Sequence, residues 1–185
     1  MRILINEKRF GDKIIFRDSL FTIEEGKRTA LLGPSGRGKT TLMRIACGLD
    51  KDFSGSAEPL PKRPGILFQE DRLSERITVL SNLMAVTDSR EAALDALEKV
   101  GLKGEEGHYI HELSGGMKRR CAIARLLLFP SDSVFLDEPF QGLDEESKAL
   151  SASALLSYAS SKTLLFITHD EDDIGLLKAD AVIRL

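Results

Sequence analysis

The stretch that decides the fold of this chain is Gly33-Pro34-Ser35-Gly36-Arg37-Gly38-Lys39-Thr40. The apolar run Arg28–Leu32 before it predicts a buried strand, and the apolar spacing after it predicts a helix over Thr40–Leu49. A strand, a glycine-rich turn and a helix N-terminus together point several backbone N–H groups at one concave site, where the helix dipole favours an anion. The pattern Gly-x-x-x-x-Gly-Lys-Thr therefore predicts a phosphate-binding loop.

The residue types in this phosphate loop have separate tasks. Its glycines permit the turn and the close approach of the backbone to phosphate oxygens, and Lys39 can reach the β- and γ-phosphates of a nucleotide. The Thr40 hydroxyl can ligate Mg²⁺. We expect nucleotide contacts from Gly33 through Thr41. Because the chain has no Asn-Lys-x-Asp guanine reader, adenine is the expected base.

A second acidic element follows a hydrophobic strand. Ser133–Leu136 is apolar and runs directly into Asp137 and Glu138. Asp137 is expected to bind Mg²⁺, partly through water, as phosphoryl-transfer sites require. Glu138 is then placed to polarise the attacking water as a general base. An acidic strand end alone is a weak signal, but together with the phosphate loop it predicts nucleotide hydrolysis.

The composition fits one soluble globular domain. The chain has 185 residues, 42% of them hydrophobic, and a net charge of −3, which gives no sign of a nucleic-acid partner. Cys47 and Cys121 lie far apart and are expected to be buried apolar residues rather than a disulfide or a zinc site. The N-terminus does not read as a signal peptide, and no apolar run approaches the roughly 20 residues of a membrane span.

The order of the predicted elements indicates an α/β fold. The first thirty residues are expected to form short strands, Thr78–Val100 is helical throughout and Asp50–Pro64 is a polar, proline-rich stretch. A helix over Ser114–Phe129 precedes an alternation of strands and helices, which implies a mostly parallel sheet with right-handed crossovers. The remaining predicted segments are strands Gly65–Phe68, Ser133–Leu136, Leu164–Ile167 and Ala181–Leu185, and helix Glu145–Ala159.

One further segment makes the function more specific. Leu113-Ser114-Gly115-Gly116-Met117 precedes an apolar helix and resembles the signature motif of ABC-type ATPases. Ser114 can cap that helix, and the two glycines leave backbone N–H groups accessible to a second anion. The resemblance implies a single ABC-type ATPase domain over 1–185. Its expected fold is a P-loop NTPase with a RecA-like, mostly parallel core, a small trimmed antiparallel β subdomain, and an α-helical signature subdomain near 70–130.

The resemblance also implies the partners. In that family two copies meet head to tail, so we expect Ser114, Gly115, Gly116 and Asp144 to contact ATP held by the second copy. ATP and Mg²⁺ are the implied cofactors. The implied setting is the cytoplasmic face of a membrane, where the chain would dock on an integral permease and serve a solute-binding protein indirectly.

Other positions match the family in order along the chain. Gln69 looks like the glutamine that senses Mg²⁺ in the Q-loop, His169 matches the switch histidine at the γ-phosphate, and Gly142-Leu143-Asp144 matches the D-loop. Phe10 lies where the family places the aromatic that stacks on adenine, although core packing remains an alternative because Phe16 and Phe21 are close. The implied catalytic set is Glu138, His169 and Lys39.

The chain looks most like importers of the nitrate, sulfonate, taurine and bicarbonate type. Two alternatives remain open: a soluble ABC ATPase that acts on nucleic acid or the ribosome, and a P-loop kinase of a small metabolite. Lys118, Arg119 and Arg120 are interpreted as a solvated helix face, because three consecutive residues spread around a helix axis.

Overall fold

A computed structural model describes all 185 residues. It contains eight strands and six α-helices, which are, in chain order, β1 (Arg2–Phe10), β2 (Lys13–Thr22), β3 (Arg28–Leu32), α1 (Lys39–Ala46), β4 (Ser54–Glu58), β5 (Pro64–Leu67), α2 (Val79–Met84), α3 (Arg90–Lys99), α4 (Gly115–Leu127), β6 (Ser133–Asp137), α5 (Glu145–Tyr158), β7 (Thr163–Ile167), α6 (Glu171–Leu176) and β8 (Ala181–Arg184). None of the helices is both long and apolar enough to be a candidate membrane span.

Five strands form a parallel sheet in the order β5-β6-β7-β3-β8. The predicted parallel α/β core is therefore confirmed. The carboxyl ends of parallel strands lie at one edge, so the segments that follow β3, β5, β6 and β7 are brought together there. These segments contain the phosphate loop, Gln69, Asp137 with Glu138, and His169.

A separate antiparallel sheet has the order β2-β1-β4. Its hairpin pairs Phe10 with Lys13 across a two-residue turn, and β4 pairs with the other edge of β1. The predicted antiparallel β subdomain is present. Strand β4 falls inside the stretch Asp50–Pro64 that the sequence analysis described only as polar, because its residues Ser54–Glu58 carry no apolar alternation.

Alternate residues of the parallel sheet face two different hydrophobic cores. In β6, Val134 and Leu136 pack into the core shared with the helices α2 to α5, whereas Phe135 packs into the core shared with α1 and the antiparallel sheet. In β3, Ala30 and Leu31 divide in the same way. This period of two is the ordinary alternation of a strand, and here both faces are covered.

The helical segment after Gln69 differs from its prediction. Thr78–Val100 is not one helix: α2 ends at Met84, and α3 starts at Arg90. The hydroxyls of Thr78 and Ser89 each accept a hydrogen bond from a backbone N–H at the start of their helices, so two N-caps define two helices.

Two smaller expectations have different outcomes. Helix α1 ends at Ala46 rather than Leu49, because Gly48 adopts a left-handed conformation with φ of 77°. Cys47 and Cys121 are both buried free thiols, as predicted. Burial raises the pKa of the Cys121 thiol to about 12, so neither a metal ligand nor a reactive thiolate is expected there.

Candidate functional site

A cavity of about 400 Å³ lies at the carboxyl edge of the parallel sheet, between the phosphate loop and the antiparallel sheet. It brings together residues that are far apart in the sequence. Ten of the predicted site residues line it, namely Phe10, Ser35, Gly36, Gly38, Lys39, Thr40, Thr41, Gln69, Asp137 and Glu138. Of the other phosphate-loop residues, Gly33 and Pro34 contact Lys39 through their carbonyl groups, and Arg37 is exposed.

The turn of the phosphate loop requires glycine at its last position. Gly38 has a φ of 97°, and a Cβ atom there would lie 2.6 Å from Cγ2 of Ile15 and 2.7 Å from Cζ of Phe16. Helix α1 starts immediately afterwards with no side-chain cap, so the N–H groups of its first turn face the loop. Lys39 Nζ donates hydrogen bonds to the carbonyl oxygens of Gly33 (2.5 Å) and Pro34 (3.1 Å). The loop therefore gathers N–H donors and one ammonium group, which suits a phosphate.

The oxygen ligands expected for Mg²⁺ lie together. The Thr40 hydroxyl donates a hydrogen bond to Oδ2 of Asp137 across 3.0 Å, and Gln69 lines the same cavity. Burial raises the pKa of the Asp137 carboxyl, while the Thr40 hydrogen bond and the charges of Arg119, Arg44 and Lys39 act in the opposite direction. Hydroxyl, carboxylate and amide oxygens are the hard ligands that Mg²⁺ prefers, so this donor set fits the ion.

Glu138 is held in an uncommon backbone conformation. Its φ is 48°, in the left-handed region that costs a non-glycine residue about 1–2 kcal/mol. The Glu138 N–H donates to the carbonyl oxygen of Ile167 across 3.0 Å, and Nδ1 of His169 lies 2.8 Å from Oε2 of its carboxylate. The predicted base and the predicted switch histidine are therefore neighbours at the ends of β6 and β7.

The residues predicted to act on a second copy form a different surface. The Ser114 hydroxyl caps α4 by accepting a hydrogen bond from the Met117 N–H at 3.3 Å, and Gly115 is exposed. A Cβ atom at Gly116 would lie 3.1 Å from the carbonyl oxygen of Gly142, so the signature segment and the D-loop are adjacent. Ser114, Gly115, Gly116 and Asp144 do not line the cavity of their own chain.

Asp144 also has a role within its own chain. Its carboxylate caps α5 by accepting a hydrogen bond from the Ser147 N–H at 2.8 Å, and this contact lowers its pKa. A helix N-cap explains an aspartate at this position without any nucleotide.

Among the nearby phenylalanines, Phe10 is the one available to a ligand. It is 54% exposed at the cavity, whereas Phe16 is buried in the core, and the Phe21 ring lies edge-on to the Phe16 ring at 5.4 Å. Lys8 Nζ lies 4.7 Å from the Phe10 ring centroid, held by ion pairs to Asp50 and Asp52. The core-packing alternative therefore applies to Phe16 and Phe21 rather than to Phe10.

Two residues that line the cavity were not predicted from the sequence, and a third residue near the site was assigned the wrong environment. Lys13 and Ile15 line the cavity beside Phe10, and the hairpin register that pairs Phe10 with Lys13 is the signal that could have indicated them. Arg119 is only 3% exposed and donates six hydrogen bonds, so the prediction that it is part of a solvated face is wrong. Helical spacing alone could not indicate the burial of Arg119, because the oxygen atoms that accept its hydrogen bonds belong to loops distant in the sequence.

Comparison with known proteins gives consistent matches. A family model described as "ABC transporter" matches residues 16–141. The aliphatic sulfonates import ATP-binding protein SsuB of Bacillus licheniformis is 39% identical, with 94% of this chain and 75% of that protein covered. A protein of the same description from Pseudomonas syringae pv. tomato, SsuB 2, is 37% identical, with 99% and 81% covered.

Solved structures match over the whole chain. The dimeric structure of MJ0796, a bacterial ABC transporter cassette, has a TM-score of 0.81 and 25% identity, and 100% of this chain and 94% of that one are covered. A post-hydrolysis MJ0796 dimer bound to ADP and Pi has a TM-score of 0.80 and 26% identity, with the same coverage of both chains. A putative ABC transporter ATP-binding protein from Pyrococcus furiosus has a TM-score of 0.82 and 25% identity, and 100% of this chain and 96% of that one are covered.

Proposed function

Because the chain belongs to the ABC transporter family as an ATP-hydrolysing subunit, we propose that two copies enclose ATP between them and so drive a membrane importer. The two alternatives, a soluble non-transport ATPase and a small-molecule kinase, gain no support from relatives that are named as import proteins. The solved dimeric structures of a similar cassette support the pairing of two copies.

One observation carries this proposal. The cavity contains the phosphate loop and Glu138, but Ser114–Gly116 lies outside it on a surface shared with Gly142. The bare N–H groups at the start of α4 would therefore contact a phosphate that another molecule holds. Each chain then supplies the phosphate loop of one site and the Ser114–Gly116 surface of the other site. A head-to-tail pair of chains completes both sites.

In the proposed site, Phe10 stacks on adenine, and the N–H groups from Gly33 to Thr41 bind the phosphates. Lys39 neutralises charge on the β- and γ-phosphates. Thr40, Asp137 and Gln69 would hold Mg²⁺, partly through water. When bound, the metal neutralises the negative charge that develops on the phosphate oxygens during transfer.

The proposed hydrolytic step uses the end of β6. Glu138 holds the attacking water in line with the γ-phosphate and accepts its proton, while His169 contacts the γ-phosphate. The neighbouring chain contributes Ser114, Gly115, Gly116 and Asp144 from the opposite side. Positioning and charge neutralisation supply most of the catalysis in phosphoryl transfer, and this arrangement provides both.

The proposed transport partner is an integral permease on whose cytoplasmic side the pair would dock. A groove of about 260 Å³ is mostly apolar and is lined by Phe68, the residue before Gln69 of the catalytic cavity. Ile66, Val86 and Phe129 are among its lining residues. A permease segment seated there would contact the residue next to Gln69, which gives a direct route from the membrane partner to the metal ligands.

The cargo is proposed from the relatives alone. Two of them are named for the import of aliphatic sulfonates, so a small organic anion is the proposed class. In such systems the permease and a solute-binding protein select the cargo, and this chain would meet the binding protein only indirectly.

Dimer formation is tested by the concentration dependence of hydrolysis. Specific ATPase activity should rise with protein concentration and then reach a plateau, while ATP binding per chain stays constant. The sedimentation coefficient of the ATP-bound protein should rise over the same range. A specific activity that is constant from nanomolar to micromolar protein would contradict the two-chain site.

Permease docking is tested with Val86→Glu, which introduces a charge into the groove. The variant should keep the ATPase activity of the isolated chain but fail to assemble with the co-expressed permease. Ala85→Glu introduces the same charge at the exposed neighbouring position, outside the groove lining, and is the matched control that should assemble normally. Normal assembly and transport by Val86→Glu would rule the groove out.

A further inference from the structure

The buried guanidinium of Arg119 binds the peptide groups that carry the base and the metal ligand. Its Nη2 donates to the carbonyl oxygens of Asp137 at 2.6 Å and Glu138 at 2.8 Å, and its Nε donates to that of Pro139 at 3.1 Å. Three successive carbonyl groups after β6 are thus held by one side chain. A rigid planar donor with five N–H groups can do this, whereas a lysine or glutamine cannot.

The other guanidinium nitrogen of Arg119 contacts the segment after β5. Its Nη1 donates to the carbonyl oxygen of Phe68 at 2.6 Å, more weakly to that of Gln69 at 3.4 Å, and to Oδ1 of Asp71 at 3.0 Å. One side chain therefore spans the loop of Gln69 and the loop of Glu138. Both loops line the catalytic cavity, although Arg119 itself does not.

The Glu138 contact matters because of the backbone conformation there. A left-handed peptide at a glutamate persists only when the surroundings determine it. Glu138 is fixed on both sides, by its N–H bond to Ile167 and by the bond that its carbonyl group accepts from Arg119. Without the second bond, the peptide between Glu138 and Pro139 loses one of the two hydrogen bonds that hold Glu138 in this conformation.

We propose that Arg119 is a positioning residue for ATP hydrolysis, which holds the Glu138 carboxylate and the Gln69 loop in one fixed arrangement. This inference rests on the proposed function of Glu138 as the base. It extends that function by linking α4, whose first turn carries the signature, to the base of the same chain. Ser114 caps this helix five residues before Arg119, so a movement of the signature surface is transmitted through a rigid helix to Glu138.

The chain offers a matched control on the same helix. Arg120 also donates two hydrogen bonds to backbone carbonyl groups, those of Val100 and Gly101, but these two residues follow α3 and do not line the cavity. Arg120→Gln and Arg119→Gln therefore remove the same chemistry from neighbouring positions. Only Arg119→Gln frees carbonyl groups at the loops that line the catalytic cavity.

The experiment compares steady-state ATPase kinetics and equilibrium ATP binding for the full chain. For Arg119→Gln we expect kcat to fall about 10- to 100-fold, as a misplaced catalytic group does, while KM and the Kd for ATP change less than threefold. Arg119→Lys should be intermediate and serves if the glutamine variant folds poorly. Arg120→Gln should keep the wild-type kcat.

A double-mutant cycle separates positioning from general damage to the fold. If Arg119 acts through Glu138, adding Arg119→Gln to Glu138→Gln should lower the residual single-turnover rate by less than twofold, because the positioned group is already lost. A further 10-fold loss in the double variant, a parallel loss of ATP affinity, or a wild-type kcat for Arg119→Gln and Arg119→Lys would overturn the inference. An inactive wild-type chain under dimer-forming conditions would instead contradict the proposed function.

Discussion

Nδ1 of His169 lies 2.8 Å from Oε2 of Glu138, and it donates the hydrogen bond when the carboxylate is ionised. Strands β6 and β7 are adjacent and in register, with Asp137 opposite Ile167. Glu138 and His169 come just after these paired residues, so the sheet places their side chains close together. The Glu138 side chain is 14% exposed and that of His169 is 72% exposed. The Glu138 carboxylate thus contacts the imidazole of His169, while Glu138 also lines the cavity.

The first prediction concerns the general base. Glu138→Gln keeps the shape of the side chain but cannot accept the proton of water, so kcat should fall by about 10²-fold or more. ATP binding should persist, and the variant should accumulate as an ATP-bound dimer in size-exclusion chromatography.

The control for this variant is Glu146→Gln, which removes the same charge from the exposed first turn of α5. It should hydrolyse ATP like the wild type and show no trapped dimer. Wild-type turnover by Glu138→Gln would remove Glu138 from the catalytic role.

The second prediction concerns adenine stacking. Stacking of one base on an aromatic ring contributes about 1–3 kcal/mol, so Phe10→Ala should weaken ATP and ADP binding about 10-fold or more, whereas Phe10→Tyr should bind normally. Inorganic tripolyphosphate lacks the base, and its affinity should be unchanged. Leu20→Ala, an exposed apolar residue of the same antiparallel sheet, provides the control. Equal losses for ATP and tripolyphosphate would indicate damage to the loop rather than lost stacking.

The third prediction tests the site formed by two chains. Ser114→Arg should keep ATP binding and lose hydrolysis, because its own cavity is intact while the surface offered to the partner is blocked. Mixing it with Lys39→Ala, which is also inactive, should restore part of the activity, since one of the two mixed sites then has an intact loop and an intact signature.

Ser89→Arg is the matched control, because Ser89 caps α3 as Ser114 caps α4. Both variants lose about 1 kcal/mol of helix capping, but only Ser114→Arg should affect hydrolysis. Full activity of Ser114→Arg would refute the role of the signature surface.

The fourth prediction concerns stability against pH. Because burial raises the pKa of Asp137, the folded state binds its proton more tightly than the unfolded state does. The stability from this group is complete below the unfolded pKa and is lost as pH rises through the folded pKa. At pH 7, Asp137→Asn should therefore raise the Tm, while hydrolysis is lost.

The gain in Tm for Asp137→Asn should shrink towards zero below about pH 4, where the wild-type carboxyl is itself neutral. Added Mg²⁺ should raise the Tm of the wild type and leave that of the variant unchanged. Asp88→Asn, at an exposed position, should show neither effect. A lower Tm for Asp137→Asn at pH 7 would contradict the conclusion that burial of the ionised Asp137 carboxylate destabilises the fold.

Much of the site could be predicted because its residues follow strands. Glycine loops and acidic strand ends are local patterns, and a parallel sheet places the ends of β3, β6 and β7 at one edge without further information. This is why Lys39, Asp137 and Glu138 could be grouped from local patterns, whereas His169 was assigned to the site through the resemblance to a known family.

Arg119 could not be predicted in the same way. Its burial depends on carbonyl groups from residues 68–69 and 137–139, which meet α4 only in the folded chain. The break between α2 and α3 was also missed, although the polar run Thr87–Glu91 interrupts the apolar spacing there and Ser89 supplies a second N-cap.

The division of the parallel sheet into two separately packed faces has a consequence for cooperativity. The antiparallel sheet and α1 belong to one apolar layer, whereas α4 belongs to the other. The cavity lies at the end of the strands that both layers pack against, so a bound nucleotide stabilises the sheet that the two layers share. Nucleotide binding should therefore slow amide hydrogen exchange in both layers together. The slowing should include α4, which the nucleotide bound to the same chain does not contact directly.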